Sequence, residues 1–507
     1  MIKLWANYWR AAVAILMFLT LGLWNISGPL PWWDEGWTLS VARNVVERGS
    51  YARLLDGNLT AHGLEAAVPV IEMVVFSFRL FGVGLWQGRI PGVLCATLAL
   101  GLLFLLTQRM FSRRVAWGAM ATSLLLAPHP QIHTLIQGRQ VLAELPMFVA
   151  LLGGLLCADQ AARRQFWLLI PALGLLTLAL AIKAQTLPFL VVGMGVGVVV
   201  ALLLRRWRYA AILAISLIGS YLLLPQMYVL FNWLANPPFR AKEVTGLVGI
   251  IAFVTEPGNR VFALTIFLTF GLSSMLGLLD GLWHSWNDAR AGQDIDGIVL
   301  RMLVIGLAGS WLAWFVLLSV GSPRYMFPPI FFATPFLAAL LDRLTNGYDF
   351  FGILQRMTAP LRERKLTRAS AAAWLAALIL MIALPLTLLT LTRYYLLNSD
   401  DSAQQTADYF NTQSKPDALI ETYESELHFL LNRRYHWPPD QIHVELNKRS
   451  LLGQQTPIEY DPLAANPDYL VIGEFARGNN LYVPVIESGS FRLVQTIGGY
   501  DLYVRVR

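Results

Sequence analysis

Pro31-Trp32-Trp33-Asp34-Glu35-Gly36-Trp37 decides how this chain is read. The heptapeptide follows directly on an apolar stretch from about Ala11 to Ile26, so two carboxylates stand where a membrane helix hands over to water. A carboxylate at that depth costs several kcal/mol unless it is solvated, paired or used, which makes an acid at a membrane edge a candidate for function. The alternative is a solvated loop start that happens to hold two acids. The neighbouring tryptophans suit the headgroup zone, with apolar rings and an N–H left for water.

The rest of the chain supports a membrane setting. Of its 507 residues 56% are hydrophobic and only 14% charged, against about 25% charged in soluble domains. This is a mainly α, polytopic membrane protein. The formal charge of +7 lies in short clusters between apolar spans and reads as topology, not as nucleic-acid binding. Both cysteines, Cys95 and Cys157, fall inside apolar spans and read as small packing residues rather than a disulfide. The N-terminus resembles a signal peptide, but no small-residue cleavage site precedes Asn25, so a retained helix is expected.

Eleven stretches approach the roughly 20-residue spanning length: residues 9–30, 86–108, 115–135, 142–160, 166–182, 186–204, 209–233, 261–283, 301–320, 324–342 and 371–397. Basic residues fall on alternate connections. One side receives Lys3 and Arg10, Arg109/Arg113/Arg114, Arg163/Arg164, Arg205/Arg206/Arg208, Arg290, and the Arg343 to Arg368 loop with Arg362, Arg364 and Lys365. The positive-inside rule makes that side cytoplasmic. The opposite side receives a long loop over 31–85, a turn over 129–141, a loop over 234–260 and everything after Leu397. Within the first loop, Trp37 to Val46 and Val68 to Phe81 carry apolar residues at helical spacing, as amphipathic helices on a membrane surface would. The 234–260 loop, with Asn236-Pro237-Pro238 and Lys242-Glu243-Val244, suits a lid.

The domains are therefore a transmembrane part over 1–397 and a soluble outer α/β domain over 398–507. In the latter, 417–422 and 468–473 read as strands, Ser402 to Thr412 and Ser425 to Asn432 as helices, and Phe491 to Arg507 as a hairpin turning at Gly498-Gly499. It has no Gly-rich phosphate loop and no metal-spaced Cys/His set.

Besides Asp34 and Glu35, the outer edge holds four notable sites. Arg139 and Glu144 stand five residues apart at the start of the fourth span, suited to binding or to an ion pair that caps the helix. Lys183 sits in a tight turn, free to engage a ligand or to snorkel to the interface. Arg324-Tyr325 opens the tenth span, and guanidinium binds phosphate oxygens bidentately. His62 and Glu65 offer two ligands for a divalent metal ion, although a solvated loop explains them better. His129 and His133, spaced i,i+4, are a weaker metal pair. Two separated carboxylates with several cations at a lipid boundary are what glycosyl transfer from a lipid phosphate needs: a base for the acceptor hydroxyl and positive charge for the departing phosphate.

In this order the motifs resemble the GT-C superfamily of membrane glycosyltransferases, in particular its protein-mannosyltransferase-like and aminoarabinose-transferase-like group. The resemblance rests on Asp34-Glu35, on Arg89-Ile90-Pro91, on Arg139 with Glu144 and Pro146, on Lys183, and on Arg324-Tyr325 with Pro328, over about the first 345 residues. It implies a GT-C fold with about 11 transmembrane helices, a polyprenyl-phosphate sugar donor and inversion at the anomeric carbon. Asp34 would be the catalytic base, with Glu35 beside it and Glu144 as a third carboxylate. Arg139, Lys183, Arg324 and Tyr325 would hold the donor phosphate. Protein, glycolipid and glycan acceptors all remain open, and a bacterial inner membrane is implied, with the N-terminus cytoplasmic and the site periplasmic. Two positions depart from the pattern. Many relatives carry Asp in place of Glu144, and Ala66-Ala67 follow Glu65 where aminoarabinose enzymes have Lys-Pro. A lipid-linked-sugar transporter or binding protein is the competing class, but no paired repeat joins the halves and the ionisable residues sit at one face rather than the midplane.

Overall fold

The apolar periodicity becomes helices. The computed structural model describes residues 2–240, 245–363 and 367–506; Lys242-Glu243-Val244 and Arg364-Lys365 lie outside them, as do the side chains of Lys3, Arg10 and Arg362. Among the described residues eight helices are long and apolar enough to cross a membrane: Leu85–Met110, Glu144–Arg163, Ala184–Leu203, Trp207–Ala235, Pro257–Arg290, Ile295–Leu318, Pro323–Leu344 and Arg368–Leu396. The chain is a multi-pass membrane protein. Three of the eleven expected spans are shorter. The first and fifth carry apolar helices at Val13–Leu23 and Phe166–Ile182. The third, expected over 115–135, stops at Leu125. Pro128 and Pro130 follow, and a residue before proline is driven out of the α region, so the chain turns into a 3-10 turn at Pro130–Ile132 and a short helix at Thr134–Arg139.

The helices pack around one apolar core, with Phe148 stacked on Phe331 at 4.6 Å. A second core lies in the C-terminal segment. After the hairpin β1 (Arg53–Leu55) and β2 (Asn58–Thr60), whose Asp56-Gly57 turn has both φ positive as a type I′ turn requires, the remaining strands form one sheet. They are β3 (Leu419–Thr422), β4 (Arg434–His436), β5 (Tyr469–Ile472), β6 (Phe491–Ile497) and β7 (Tyr500–Arg505), in the order β4-β3-β5-β7-β6. β4, β3 and β5 run parallel, and β6 and β7 close the sheet as an antiparallel hairpin at Gly498-Gly499. Helices Ser402–Gln413 and Ser425–Leu430 form where expected. The helix Asp440–Leu452 is additional.

The two cores share one helix. It begins at Trp33, earlier than the expected Trp37, and ends at Arg48. Trp33 and Trp37 belong to the core of the sheet domain, whereas Leu39, Val41 and Ala42 belong to the bundle core. The helix is thus a wedge between folded bodies, not an amphipathic surface helix, and its tryptophans face protein rather than lipid headgroups. Trp33 Nε1 donates to the Tyr423 carbonyl at 2.9 Å, and the Ser425 hydroxyl donates to the Trp33 carbonyl. Helix Val68–Phe81 forms over the expected residues; Val70, Ile71, Val74, Val75 and Phe78 are buried, while Phe76, Leu80 and Phe81 are exposed.

Gly36 makes the wedge possible. A Cβ there would lie 2.3 Å from the Ser425 carbonyl carbon and the Glu426 nitrogen, both backbone atoms. Gly36→Ala is therefore expected to force the sheet domain off the helix, costing about 1–3 kcal/mol as overpacking does. A lowered unfolding temperature and faster proteolysis after residue 398 would show it; an unchanged melt would mean the contact yields.

Glu424 and Glu426 sit at the same junction, both buried. Glu424 accepts from the Gly473 and Ala476 N–H groups at 3.1 and 2.9 Å, and Glu426 from the Tyr500 hydroxyl at 2.6 Å. Burial raises both carboxyls above the ordinary glutamate value of 4.5, and the Glu424 charge adds to the rise at Glu426. The folded state then holds more protons than the unfolded one between 4.5 and the raised values, so stability falls as pH rises through that window. Glu426→Gln should flatten the slope of melting temperature against pH; an equal slope in the variant would remove Glu426 as its source.

Candidate active site

Four of the residues singled out in the sequence meet at one point, although they come from four separate elements. Asp34 lies in the first turn of the Trp33–Arg48 helix, where the N-terminal end of the helix dipole favours negative charge. Its carboxylate accepts from Arg324, which is carried on the turn Pro323–Met326. Arg324 Nε also donates to Glu144 Oε1 at 3.2 Å. Glu144 begins its helix, and the same Oε1 accepts from Lys183 Nζ at 2.6 Å. The order is Asp34–Arg324–Glu144–Lys183. Glu144 is 2% exposed and Asp34 40%, so the inner carboxylate fixes the two cations while the outer one meets the cavity.

Glu35 is placed differently. It is 0% exposed, and both its oxygens are taken by Arg89, at 2.7 and 3.0 Å. Arg89 in turn donates to the carbonyls of Ile26, Pro29 and Leu30, and Glu35 accepts from the Trp32 N–H at 3.1 Å. This knot ties the start of the Asp34 helix to the turn before it and to helix Leu85–Met110.

Two cavities flank Arg324 and share Trp32. One of about 480 Å³ is lined by Arg89, Arg139, Arg324, Tyr394 and Tyr395. Arg139 lies with its guanidinium 3.3 Å from the Tyr395 ring centre and donates to the Trp24 carbonyl. Its Nε and Nη1 are buried and have no partner among the described residues, an arrangement that an anion would satisfy. The other cavity, about 440 Å³, is lined by Asp34, Tyr325, Trp33, Phe475 and His443. Ile250 and Ile251 of the 234–260 segment also line it, and Thr245 accompanies Gln441 of the sheet domain at 3.1 Å. His443 was not foreseen in the sequence, because nothing local marks it. It stacks on Trp33 at 4.6 Å and pairs with the Tyr423 hydroxyl at 2.6 Å.

The candidate metal ligands do not converge. Among the described residues no group of three or more His, Cys, Asp or Glu side chains could hold an ion. Glu65 is committed to Arg53 at 2.6 Å, to the Gly63 N–H and to His62 at 3.1 Å. Burial pushes its carboxyl upward, but Arg53 and the hydrogen bonds from His62 and the Gly63 N–H together outweigh this and hold it at about 2. Arg53 also binds Asp440 of the sheet domain at 2.8 Å. The pair is therefore a brace between the first loop and that domain, and its donor set does not fit a divalent cation. His133 uses Nε2 on the Leu124 carbonyl and Nδ1 on the Leu135 N–H, and His129 accepts from the Gln131 N–H. Both cap local turns.

Neither the protein-family models nor the curated proteins contain a match to this sequence. Solved structures do. ArnT (aminoarabinose transferase) from Cupriavidus metallidurans, in a crystal structure bound to undecaprenyl phosphate, superposes with a TM-score of 0.58 over 98% of both chains at 14% identity. The Archaeoglobus fulgidus oligosaccharyltransferase superposes with a TM-score of 0.55 over 99% of this chain and 75% of that one, at 12% identity. The fold is that of the GT-C glycosyltransferases. The Archaeoglobus protein has also been solved as AglB with an inhibitory peptide and a dolichol-phosphate, and that structure matches with a TM-score of 0.55 at 11% identity. Within the GT-C fold of this chain, the Asp34–Arg324–Glu144–Lys183 chain sits where the first loop, the helix ends and the sheet domain come together.

Proposed function

We propose that this chain is a membrane glycosyltransferase that moves a sugar from a polyprenyl-phosphate donor to an acceptor hydroxyl on the non-cytoplasmic face, with Asp34 as general base. The observation that carries this reading is the pair of cavities meeting at Arg324, one lined by guanidinium groups and the other opened by Asp34. The donor phosphate would occupy the first, on Arg139 and Arg324, whereas Tyr325, expected to share in holding it, lines the second cavity with Asp34. Lys183 would act through Glu144, which it holds against Arg324. The acceptor would enter the second cavity. Asp34 takes the proton of the acceptor hydroxyl, the oxygen attacks the anomeric carbon opposite the phosphate, and the bond from that carbon to the phosphate oxygen breaks. The electron pair leaves on the phosphate, whose charge the two arginines stabilise. Arg324 pairs with Asp34; an arriving phosphate would compete for that guanidinium and release the carboxylate for its task. The neighbours that carry undecaprenyl phosphate and dolichol-phosphate support a donor of this class. We assign Glu35 to positioning.

The test uses purified protein in lipid nanodiscs with a panel of polyprenyl-phosphate sugars, with and without a membrane extract as the acceptor source. Release of polyprenyl phosphate that requires both donor and extract is expected. Donor binding without release across the whole panel would overturn the transferase reading in favour of a lipid-linked-sugar carrier.

A further inference from the structure

A third cavity, about 480 Å³, lies toward the opposite end of the helix that carries Asp34, between the β1–β2 turn and the sheet domain. Four arginines line it, Arg43, Arg48, Arg433 and Arg434, against two acids, Glu47 and Asp56. Two of these cations are neutralised in place: Arg43 pairs with Glu47 at 2.9 Å, and Arg434 pairs with Asp56. The other two are not. Arg433 donates only to uncharged groups, the Ser414 hydroxyl at 3.1 Å and the carbonyls of Asn411, Ser414 and Asn432. Arg48 is exposed and has no hydrogen-bond or carboxylate partner among the described residues. Two positive charges thus face one cavity without counter-charge.

The floor of the cavity adds a second, independent observation. His428 is 2% exposed and stacks on Tyr435 at 4.7 Å. Its Nε2 approaches the Thr422 carbonyl at 3.5 Å, whereas Nδ1 has no partner among the described residues. Burial holds the ring neutral, with its pKa lowered to about 3, so Nδ1 is a bare acceptor that asks for an O–H or N–H. The Tyr435 hydroxyl, in a residue 4% exposed, likewise makes no hydrogen bond among the described residues. A simple anion would satisfy the arginines and leave the histidine wanting. A neutral sugar would do the reverse.

We propose that this cavity binds an anionic saccharide, a sugar bearing a phosphate or carboxylate, with Arg48 and Arg433 on the charge and Tyr435 and His428 on a hydroxyl. Guanidinium groups hold either anion through paired charge-assisted bonds. The site is separate from the Asp34 cavity and does not depend on the transferase reading.

The experiment uses the full chain in phosphatidylcholine nanodiscs, with binding followed by saturation-transfer NMR and calorimetry. The probes are glucose 6-phosphate, glucuronate, glucose and inorganic phosphate. Glucose 6-phosphate or glucuronate should bind, glucose should not, and inorganic phosphate should bind more weakly than the sugar phosphate. Arg48→Gln with Arg433→Gln should weaken binding about tenfold or more, as loss of hydrogen bonds to a charged group does. Arg433 also holds three carbonyls of its own domain, so Arg48→Gln alone, at an exposed residue without partners among the described residues, is the control for folding and should weaken binding in the same direction. Equal affinity in both variants, or no binding of either anionic sugar at millimolar concentration, overturns the proposal. Inorganic phosphate binding as tightly as the sugar phosphate would reduce the cavity to an anion site and overturn the saccharide assignment. Displacement of glucose 6-phosphate when phosphatidylglycerol is added to the nanodiscs would make the occupant a lipid headgroup instead.

Discussion

Asp34→Asn is expected to lower the turnover of polyprenyl-phosphate sugar by about 10²–10⁴-fold, the range over which a positioned general base contributes, while donor affinity is kept. The split follows from the geometry. The asparagine carbonyl can still accept from Arg324, and Arg324 remains tied to Glu144, so the phosphate cavity keeps its shape. What is lost is only the capacity to take a proton from the acceptor. Single-turnover release of polyprenyl phosphate, measured beside equilibrium donor binding, separates the two. Full activity in the variant would remove Asp34 from the chemistry. Lost donor binding with normal chemistry at saturation would make it a holder of Arg324.

The second large effect is expected one residue further on, and of a different kind. Glu35→Ala leaves the Arg89 guanidinium, 1% exposed, without its carboxylate. Breaking a buried pair from one side costs about 3–5 kcal/mol, so the variant should unfold at a distinctly lower temperature or fail to accumulate. Replacing both partners, Glu35→Leu with Arg89→Met, removes the stranded charge and should recover most of that stability. The double variant also decides the role of Glu35. Recovered folding with measurable sugar transfer would make it a positioning residue; a stable protein with an empty assay would return Glu35 or Arg89, which lines the donor cavity, to the chemistry.

Much of the ionic chain was legible in the sequence because membranes make charge expensive. Asp34, Glu144, Lys183 and Arg324 each stand at the edge of an apolar run, where an unpaired charge is not tolerated, and the structure gives each one a partner. Legibility failed wherever the decisive contact joins the two ends of the chain. Trp33 and Trp37 read as headgroup residues because the protein that covers them lies beyond residue 400. Arg53 passed unnoticed, since Asp440, one of its two carboxylates, is 387 residues away. The helix Asp440–Leu452 carried no helical signature: its buried Ile442, Val444 and Leu446 fall on alternate positions, a strand-like spacing. The third span overran because its hydrophobicity continues past Leu125 while prolines end the helix.

The wedge helix also has a consequence for how the protein is made. Trp33 and Tyr423, joined by a hydrogen bond, are separated by 390 residues. At about 5–20 residues per second, the ribosome needs roughly 20–80 s to supply the far side of that contact. Throughout that interval Trp33 and Trp37, beside Asp34, lack the sheet-domain residues that cover them in the folded chain. The junction that holds the Asp34 helix between the bundle and the sheet domain is therefore completed only once residue 423 and its neighbours have been made.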